Sequence, residues 1–247
     1  MAVKPILFNT EMVRAILDGR KTCTRRLVKP QPDEKHTYPL GFVTDSTEKK
    51  EIGNFGFDIN EYGVSIQYAK PPYQLGDILY VRETWQCWRA HRYEATADIR
   101  FRAGGDDVRL QFANGNTDSI NRLDYDTFVH KWFSHNGEWK PSLFMPKEAA
   151  RIWLKVTDVR VERLQEITEK QACMEGTDPW DEVCYENNGW HPTFSDPDSG
   201  GDPNMVNGFH KLWNSTIKKS DLDRYGWDAN PWVWVIEFER CEKPEIN

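Results

Sequence analysis

Apolar and polar residues alternate along several segments of this chain, which is the pattern of β-strands that bury one face. The pattern predicts strands over residues 5–8, 75–85, 93–102, 150–164 and 230–240. Along 150–164 the apolar positions change face between Val156 and Val159, which predicts a bulge or a bend at positions 157–158. The chain is therefore predicted to be rich in β-structure.

Helical spacing of apolar residues occurs in three stretches, namely residues 11–18, 167–176 and 204–217. The first stretch follows Thr10, a suitable N-cap, and precedes Gly19, which suits the left-handed position after a helix. The second contains Thr168 and Gln171 at the spacing of a capping box and stops at Gly176. These residues predict short helices between the strands.

Three long stretches lack sustained periodicity and are interpreted as insertions, at about 29–75, 103–147 and 177–204. The first of them contains a hairpin pattern around residues 55–67. Helices and strands are mixed along the chain without an internal repeat, which indicates an α+β fold. Because open edges of aromatic-rich strands would pair with other chains, we expect residues 1–247 to form a single domain, a closed or nearly closed β-barrel with peripheral helices.

The charge balance limits the kind of partner that the chain can bind. Lys and Arg number 32 and Asp and Glu number 39, which gives a net charge of −7. Counterion release favours strongly basic proteins on nucleic-acid backbones, so an acidic chain is not expected to wrap a duplex. A local basic pocket is compatible with this balance. We therefore expect recognition of one nucleoside, or of a modified base in single-stranded RNA.

Cysteine usage and hydropathy indicate the compartment. The five cysteines are odd in number and include no C-x-x-C pair, which indicates neither a disulfide framework nor a zinc knuckle. The six histidines show no H-x-x-x-H or H-x-H spacing, so neither a metal nor another cofactor is expected. No segment approaches the roughly 18 apolar residues of a membrane span. The sequence predicts a cytoplasmic protein with reduced thiols and no membrane association, and leaves its oligomeric state open.

The residues that point to a family follow the first predicted helix, at positions 19–26, with the sequence GRKTCTRR. This segment resembles the motif G-x-K-x-x-[E/T]-x-R of the ASCH superfamily, whose members have a PUA-like β-barrel. Further landmarks recur in the same order, namely GDILYV at 76–81, VTDV at 156–159 with LQEITEKQA at 164–172, and WVWVIEF at 232–238. The resemblance covers about residues 5–28, 75–86, 150–176 and 207–240. It implies a PUA-like ASCH protein of the longer phage or prophage type.

Within this superfamily the segment is similar to that of the bacterial N(4)-acetylcytidine amidohydrolases. The resemblance implies catalytic roles for Lys21 and Thr24, and it maps a catalytic glutamate onto Glu175. Deacylation of an exocyclic amide needs a nucleophile, a base and an oxyanion donor. Either Thr24 is the nucleophile and Lys21 its base, or Lys21 and Glu175 activate a water that Thr24 positions. The residues expected to contact the ligand are Gly19, Arg20, Thr22, Arg26, Glu83 and Trp85.

Each of these residues also has an ordinary structural interpretation. Lys21 and Arg26 could be ion-paired, and Glu83 could be an ion-pair partner on a strand. Trp85 could belong to the core, and Cys23, although flanked by basic residues, is better interpreted as a buried filler than as a nucleophile. Three functions therefore stay open: a hydrolase that removes an acyl group from a modified cytidine, a module that binds RNA or a modified base without turnover, and a ribonuclease.

Overall fold

The structure is a computed structural model that describes residues 1–112, 124–177 and 205–244. Almost all of the predicted insertion at 177–204, and part of the one at 103–147, lie outside the described residues. Within the described ranges the chain is an α+β protein with more strand than helix, as the sequence predicts. None of the helices in these ranges is long and apolar enough to cross a membrane.

The elements are numbered in chain order. The strands are β1 (Val3–Leu7), β2 (Cys23–Leu27), β3 (Tyr38–Phe42), β4 (Phe55–Asp58), β5 (Gln67–Ala69), β6 (Ile78–Arg82), β7 (Trp85–His91), β8 (Thr96–Phe101), β9 (Val108–Gln111), β10 (Trp153–Arg163) and β11 (Trp232–Cys241). The helices are α1 (Thr10–Leu17), α2 (Tyr125–Trp132), α3 (Glu169–Met174), α4 (Met205–Thr216) and α5 (Leu222–Tyr225). Short 3-10 turns occupy Lys49–Glu51, Ser142–Phe144, Lys147–Ala149, Leu164–Glu166 and Lys219–Asp221.

The chain divides into two compact units, each built from segments that are distant in sequence. The first unit comprises Met1–Gly19, Gly76–Lys155 and Glu239–Asn247, and the second comprises Arg20–Leu75 and Val156–Phe238. The long strands β10 and β11 each contribute residues to both units. The single-domain organisation expected from the sequence stays a prediction.

In the first unit, β1 pairs in parallel with β6, and β6 pairs antiparallel with the beginning of β10. Strands β7, β8 and β9 form a separate antiparallel sheet with a register shift between Cys87 and Arg89. The buried side chains of this sheet pack with α2 in one hydrophobic cluster that includes Trp85, Ile99 and Phe128. The alternation of the strands thus leaves the other face of the β7–β8–β9 sheet polar.

In the second unit the strand order is β10-β11-β2, and β11 pairs antiparallel with β2. Strands β3, β4 and β5 form a separate antiparallel sheet, and the β4–β5 pair corresponds to the hairpin predicted around 55–67. Helices α3 and α4 pack against one face of β11 through a cluster that includes Ala172, Phe209, Val233 and Val235. The register of β2 on β11 decides which side chains of β2 face these helices.

Helix ends follow local capping chemistry. The N-cap of α1 is Asn9, whose side-chain oxygen accepts a hydrogen bond from the Met12 amide at 2.8 Å. The prediction of Thr10 as the cap is therefore wrong by one residue, because two adjacent residues of capping type precede the helix. Gly19 has a φ of +77° directly after the helix, as predicted.

Helix α3 has the capping box that the sequence predicts. The Thr168 hydroxyl accepts from the Gln171 amide, and the Gln171 side chain accepts from the Thr168 amide at 2.8 Å. Gly176 ends the turn with a φ of +77°. Glu175 is the C-cap residue, so its position at the end of α3 follows from local sequence.

The strands of the described residues do not form the closed or nearly closed β-barrel expected from the sequence. The strands of the described residues lie in open sheets, and two separate three-stranded sheets, β3–β4–β5 and β7–β8–β9, hold six of them. Alternation of apolar residues indicates which face of a strand is buried, but it does not indicate which strand is the neighbour. The barrel prediction therefore missed that β3–β4–β5 and β7–β8–β9 pair with their own neighbours along the chain.

Candidate functional site

Lys21 and Glu175 come together in the second unit although they are 154 residues apart in the chain. The Thr22 amide donates to the carbonyl oxygen of Met174 at 2.9 Å, which ties the start of β2 to the end of α3. Lys21 Nζ then donates to the carboxylate oxygen Oε2 of Glu175 at 2.8 Å and to its backbone oxygen at 2.7 Å. The Lys21 side chain is 0% exposed and that of Glu175 is 3% exposed, so this is a buried ion pair.

Two further charged residues complete a buried cluster around this pair. Arg25 donates to Oε1 of Glu175 at 3.3 Å and to Oε2 of Glu162 at 3.0 Å, and its side chain is fully covered. Two cations therefore face two carboxylates, and the cluster is neutral. A single buried charge costs several kcal/mol of solvation, which mutual pairing has to offset. The four residues consequently form one interdependent unit, which we call the buried charge cluster (Lys21, Arg25, Glu162 and Glu175).

The buried charge cluster continues toward solvent through Arg160. Arg160 Nε donates to Oε1 of Glu162 at 2.6 Å, and its Nη1 donates to Asp158 at 2.7 Å and also contacts Glu237. The Arg160 side chain is 30% exposed and that of Asp158 is 48% exposed. A chain of alternating charges thus runs from the protein surface to the fully covered ammonium of Lys21.

Thr24 lies on the opposite face of β2 from the buried charge cluster. Successive residues of a strand point to opposite faces, and the register of β2 on β11 is uninterrupted from position 23 to 27. Cys23 and Arg25 face α3, since Cys23 Sγ lies 3.8 Å from the carbonyl oxygen of Gln171. Thr24, which is 1% exposed, shares the other face with its β11 partner Ile236. Sequence alternation alone would have placed Thr24 away from Lys21.

Arg26 shares the face of Thr24 and lies opposite Trp234 in the register. Burial lowers the pKa of the Arg26 guanidinium, while the Glu175 carboxylate and the Tyr73 hydroxyl act in the opposite direction. Burial likewise raises the pKa of Tyr73, and Arg26 counteracts this increase. Trp234 stacks on Phe42 of β3 with ring centroids 6.1 Å apart. Arg26 therefore belongs to an aromatic environment on the β3–β4–β5 side of β2.

Of the other residues expected to contact a ligand, Arg20 and Thr22 lie beside the buried charge cluster in the second unit, while Gly19 ends α1 in the first. Arg20 is exposed and donates to the carbonyl oxygen of Gly176 at 3.3 Å. Thr22 is partly exposed and contributes its amide to the Met174 contact. Their side chains are thus the accessible part of the GRKTCTRR segment.

Glu83 and Trp85 lie in the first unit, and both are buried there. Arg151 donates to both carboxylate oxygens of Glu83 at 2.9 Å, a bidentate pair. Burial raises the pKa of Glu83, and Arg151 counteracts that increase. Trp85 is 0% exposed and packs against Phe128 and Trp132. A base cannot stack on Trp85 unless this core opens, so the geometry of both residues fits their structural interpretations.

Cys23 is not an activated nucleophile in this arrangement. Burial first, and then the Glu175 carboxylate, raises the pKa of the Cys23 thiol to about 12, and the neighbouring Lys21 and Arg25 only partly oppose this. A thiol with such a pKa is protonated at neutral pH. The filler interpretation of Cys23 is the one that the environment supports.

The residues that sequence reasoning missed are Arg25 and Glu162. Arg25 was overlooked because the family motif specifies the arginine at position 26. The alternation of β2 was sufficient to place Arg25 on the face of Lys21 and Cys23. No pattern in the sequence indicated that Glu162 of β10 would be their partner, since that contact spans 137 residues.

The second unit also carries a surface cavity of about 300 Å³ beside β3. Its wall includes Phe42, Asp45, Ser46 and Tyr68, so it offers both aromatic and polar contacts. In the part of the chain that the structure describes, no group of three His, Cys, Asp or Glu side chains is arranged to hold a metal ion. Comparison with known protein families, with curated proteins and with solved structures finds no match.

Proposed function

We propose that this chain is a PUA-like protein of the ASCH type that removes an acyl group from the exocyclic amine of a modified cytidine. One observation carries the proposal: Lys21 and Glu175, which the family resemblance selects from two distant segments, form a 2.8 Å ion pair inside the second unit. A chance selection of one lysine and one glutamate 154 residues apart would rarely yield a buried pair. The PUA-like character of the fold and a cytoplasmic location belong to the same proposal.

The geometry favours the route in which the ion pair activates a water. Thr24 lies on the other face of β2, so Lys21 is poorly placed to take its proton. In the water route, the water oxygen attacks the amide carbon and the Glu175 carboxylate accepts the water proton. The Lys21 ammonium then donates a proton to the leaving amine as the carbon–nitrogen bond breaks, and the proton held by Glu175 restores the ammonium. Because Lys21 is fully covered, substrate has to displace the residues above it.

Incubation of the purified protein with N(4)-acetylcytidine, followed by its ultraviolet absorbance change, tests the proposal. Glu175→Gln removes the charge and preserves the shape of the side chain, and we expect it to reduce turnover at least a hundredfold. Asp77→Asn in the first unit is the matched control, because Asp77 is also a buried carboxylate held 2.8 Å from a lysine, Lys4. We expect this control to retain wild-type turnover.

Thr24→Val separates the two chemical routes. If Lys21 and Glu175 activate the water without Thr24, the variant retains turnover, whereas a nucleophilic Thr24 requires its complete loss. Circular dichroism of each variant tests whether a loss of turnover is caused by a loss of folding. Full activity in a folded Glu175→Gln protein would remove the proposal.

A module that binds a modified base without turnover is the second candidate. The cavity of about 300 Å³ beside β3 supports it, because it reaches the lower end of ligand-pocket volumes and is lined by Phe42 and Tyr68. The full burial of Lys21 supports it as well, since a structural ion pair needs no access to substrate. Retention of N(4)-acetylcytidine without product, abolished by Tyr68→Ala and not by Glu175→Gln, would favour this function. Release of RNA fragments would instead favour a ribonuclease.

A further inference from the structure

Arginine side chains are concentrated on the exposed face of the β7–β8–β9 sheet in the first unit. The register puts Arg89 of β7 and Arg109 of β9 opposite Asp98 of β8, so all three side chains share that face. Arg100 follows two residues after Asp98 on the same face. Arg102 follows directly after β8; its amide donates to the Thr84 oxygen at 2.9 Å, and its side chain is exposed at this end of the sheet. We call this surface the arginine face (Trp88, Arg89, Arg100, Arg102 and Arg109).

Trp88, at the register shift of β7, contacts two arginines of the arginine face. The guanidinium carbons of Arg89 and Arg100 lie 3.9 Å and 4.1 Å from the centroid of the Trp88 ring. Stacking of this kind uses the flat face of a guanidinium and leaves the N–H groups at its edge directed sideways. It also restricts the rotamers of both side chains, which lowers the entropy cost of binding an anion.

The charge of the arginine face opposes that of the whole chain. Its four arginines are accompanied by the three carboxylates of Asp98, Asp107 and Glu94, which leaves a local excess of one positive charge on a chain with a net charge of −7. The side chains of Arg100 and Arg109 are 46% and 57% exposed. The ion pair between Arg100 Nε and Asp107 Oδ1 is long, at 3.6 Å. These guanidinium groups are accessible to an anion in solvent.

A cavity borders one end of the arginine face. The cavity has a volume of about 450 Å³. Its lining includes Arg102, together with Arg14 and with Asn9 and Thr10 at the start of α1. Arg14 is neutralised by Glu11 at 2.9 Å, so Arg102 supplies the charge. The cavity is large enough for one nucleotide unit.

We propose that the arginine face binds single-stranded nucleic acid. The guanidinium edges contact phosphates, while Trp88 offers a ring on which an unpaired base can stack in place of one of the two arginines. A duplex fits poorly because its bases are already stacked and paired. The proposal is independent of the proposed deacylation, which concerns residues of the second unit and is measured on a free nucleoside.

Fluorescence anisotropy of a fluorescein-labelled oligouridine of about 12 nucleotides tests this inference in the full chain. The double variant Arg89→Ala/Arg100→Ala removes two phosphate contacts. We expect its Kd to rise at least tenfold at low salt, and the slope of log Kd against log salt to fall by about 1.4, since each phosphate contact on a single strand contributes about 0.7. Oligothymidine and a duplex of equal length serve as comparison ligands.

The matched control is Lys29→Ala/Arg224→Ala in the second unit. Both of these cations also lie over one aromatic ring, that of Tyr225, at 5.8 Å and 5.2 Å, so the control removes the same charge and the same type of contact. We expect its Kd to stay within twofold of wild type. Trp88→Ala should weaken binding about tenfold, and Trp88→Phe should restore part of it.

Three results would overturn the inference. The first is no binding of oligouridine or oligothymidine at low salt. The others are an equal rise in Kd for the arginine variant and for its control, or an affinity for the duplex equal to that for the single strands. Equal affinity for oligouridine and oligothymidine supports a general single-strand site. Preference for oligouridine supports an RNA site.

Discussion

Replacement of Lys21 by methionine tests whether burial controls the strength of the ion pairs in this protein. Lys21 Nζ lies 2.8 Å from Glu175, and the lysine side chain is 0% exposed. Lys4 forms an ion pair of the same length with Asp77, but the Lys4 side chain is 35% exposed. Both pairs join a lysine to a buried carboxylate at the same distance, so a comparison of Lys21→Met with Lys4→Met tests mainly the effect of covering the lysine.

The expected magnitudes follow from the surroundings of each charge. Removal of one partner of a buried pair costs about 3–5 kcal/mol, whereas a partly exposed pair contributes about 0–1 kcal/mol. In Lys21→Met the Glu175 carboxylate keeps Arg25 at 3.3 Å, so we expect a loss near 3 kcal/mol. Glu175→Gln removes the carboxylate that both covered cations contact, and we expect a loss near 5 kcal/mol.

The double variant Lys21→Met/Glu175→Gln completes a thermodynamic cycle. It removes both charges together, so its cost should be smaller than the sum of the single losses by about 1–3 kcal/mol. A strictly additive result would mean that the two charges do not interact, in contradiction to the 2.8 Å contact.

Urea unfolding followed by circular dichroism measures these free energies at pH 7, with Lys4→Met as the reference. The reasoning is refuted if Lys21→Met and Lys4→Met lose the same free energy of unfolding within about 0.5 kcal/mol. Equal losses would mean that the covered lysine is no more dependent on its partner than the exposed one.

Three further predictions concern other parts of the chain. The side-chain hydrogen bond from Arg109 holds the pKa of Asp98 below its usual range. The stability that the ionised Asp98 contributes is therefore present above about pH 4 and is lost as the pH falls through the folded pKa. The difference in Tm between wild type and Asp98→Asn should shrink between pH 5 and pH 2. Cys173 is exposed and should react with iodoacetamide in the native protein, whereas Cys23 should react only after unfolding, and peptide mass mapping distinguishes them. Trp85→Ala should lower the free energy of unfolding by about 3–5 kcal/mol in urea titrations, and a change below 1 kcal/mol would contradict its place in the core.

The helix ends are features that the local sequence largely predicts. The Thr168–Gln171 capping box and the left-handed Gly176 were predictable because both interactions join residues within a few positions of each other. The same locality explains the error at α1, where Asn9 and Thr10 are both capping types and only the folded backbone selects Asn9. Strand existence was predictable for the same reason, since alternation is also a local pattern.

The buried charge cluster is only partly predictable from the local sequence. Thr24 could have been placed away from Lys21 by alternation along β2, so this part of the site was predictable from the residues. The partnership of Arg25 with Glu162 was not, because it spans 137 residues and depends on which strands become neighbours.

By itself, the sequence determined β1, β6, β8, β10 and β11, the capped ends of α3 and the acidic balance of the chain, all of which depend on composition or on neighbours within a turn of structure. Only the tertiary structure decided that the sheets of the described residues stay open, that Lys21 and Glu175 are covered together, and that Arg89 and Arg100 both lie over Trp88. The physical reason is that strand pairing and desolvation join residues far apart in the chain. Their free energies depend on partners that no local pattern specifies.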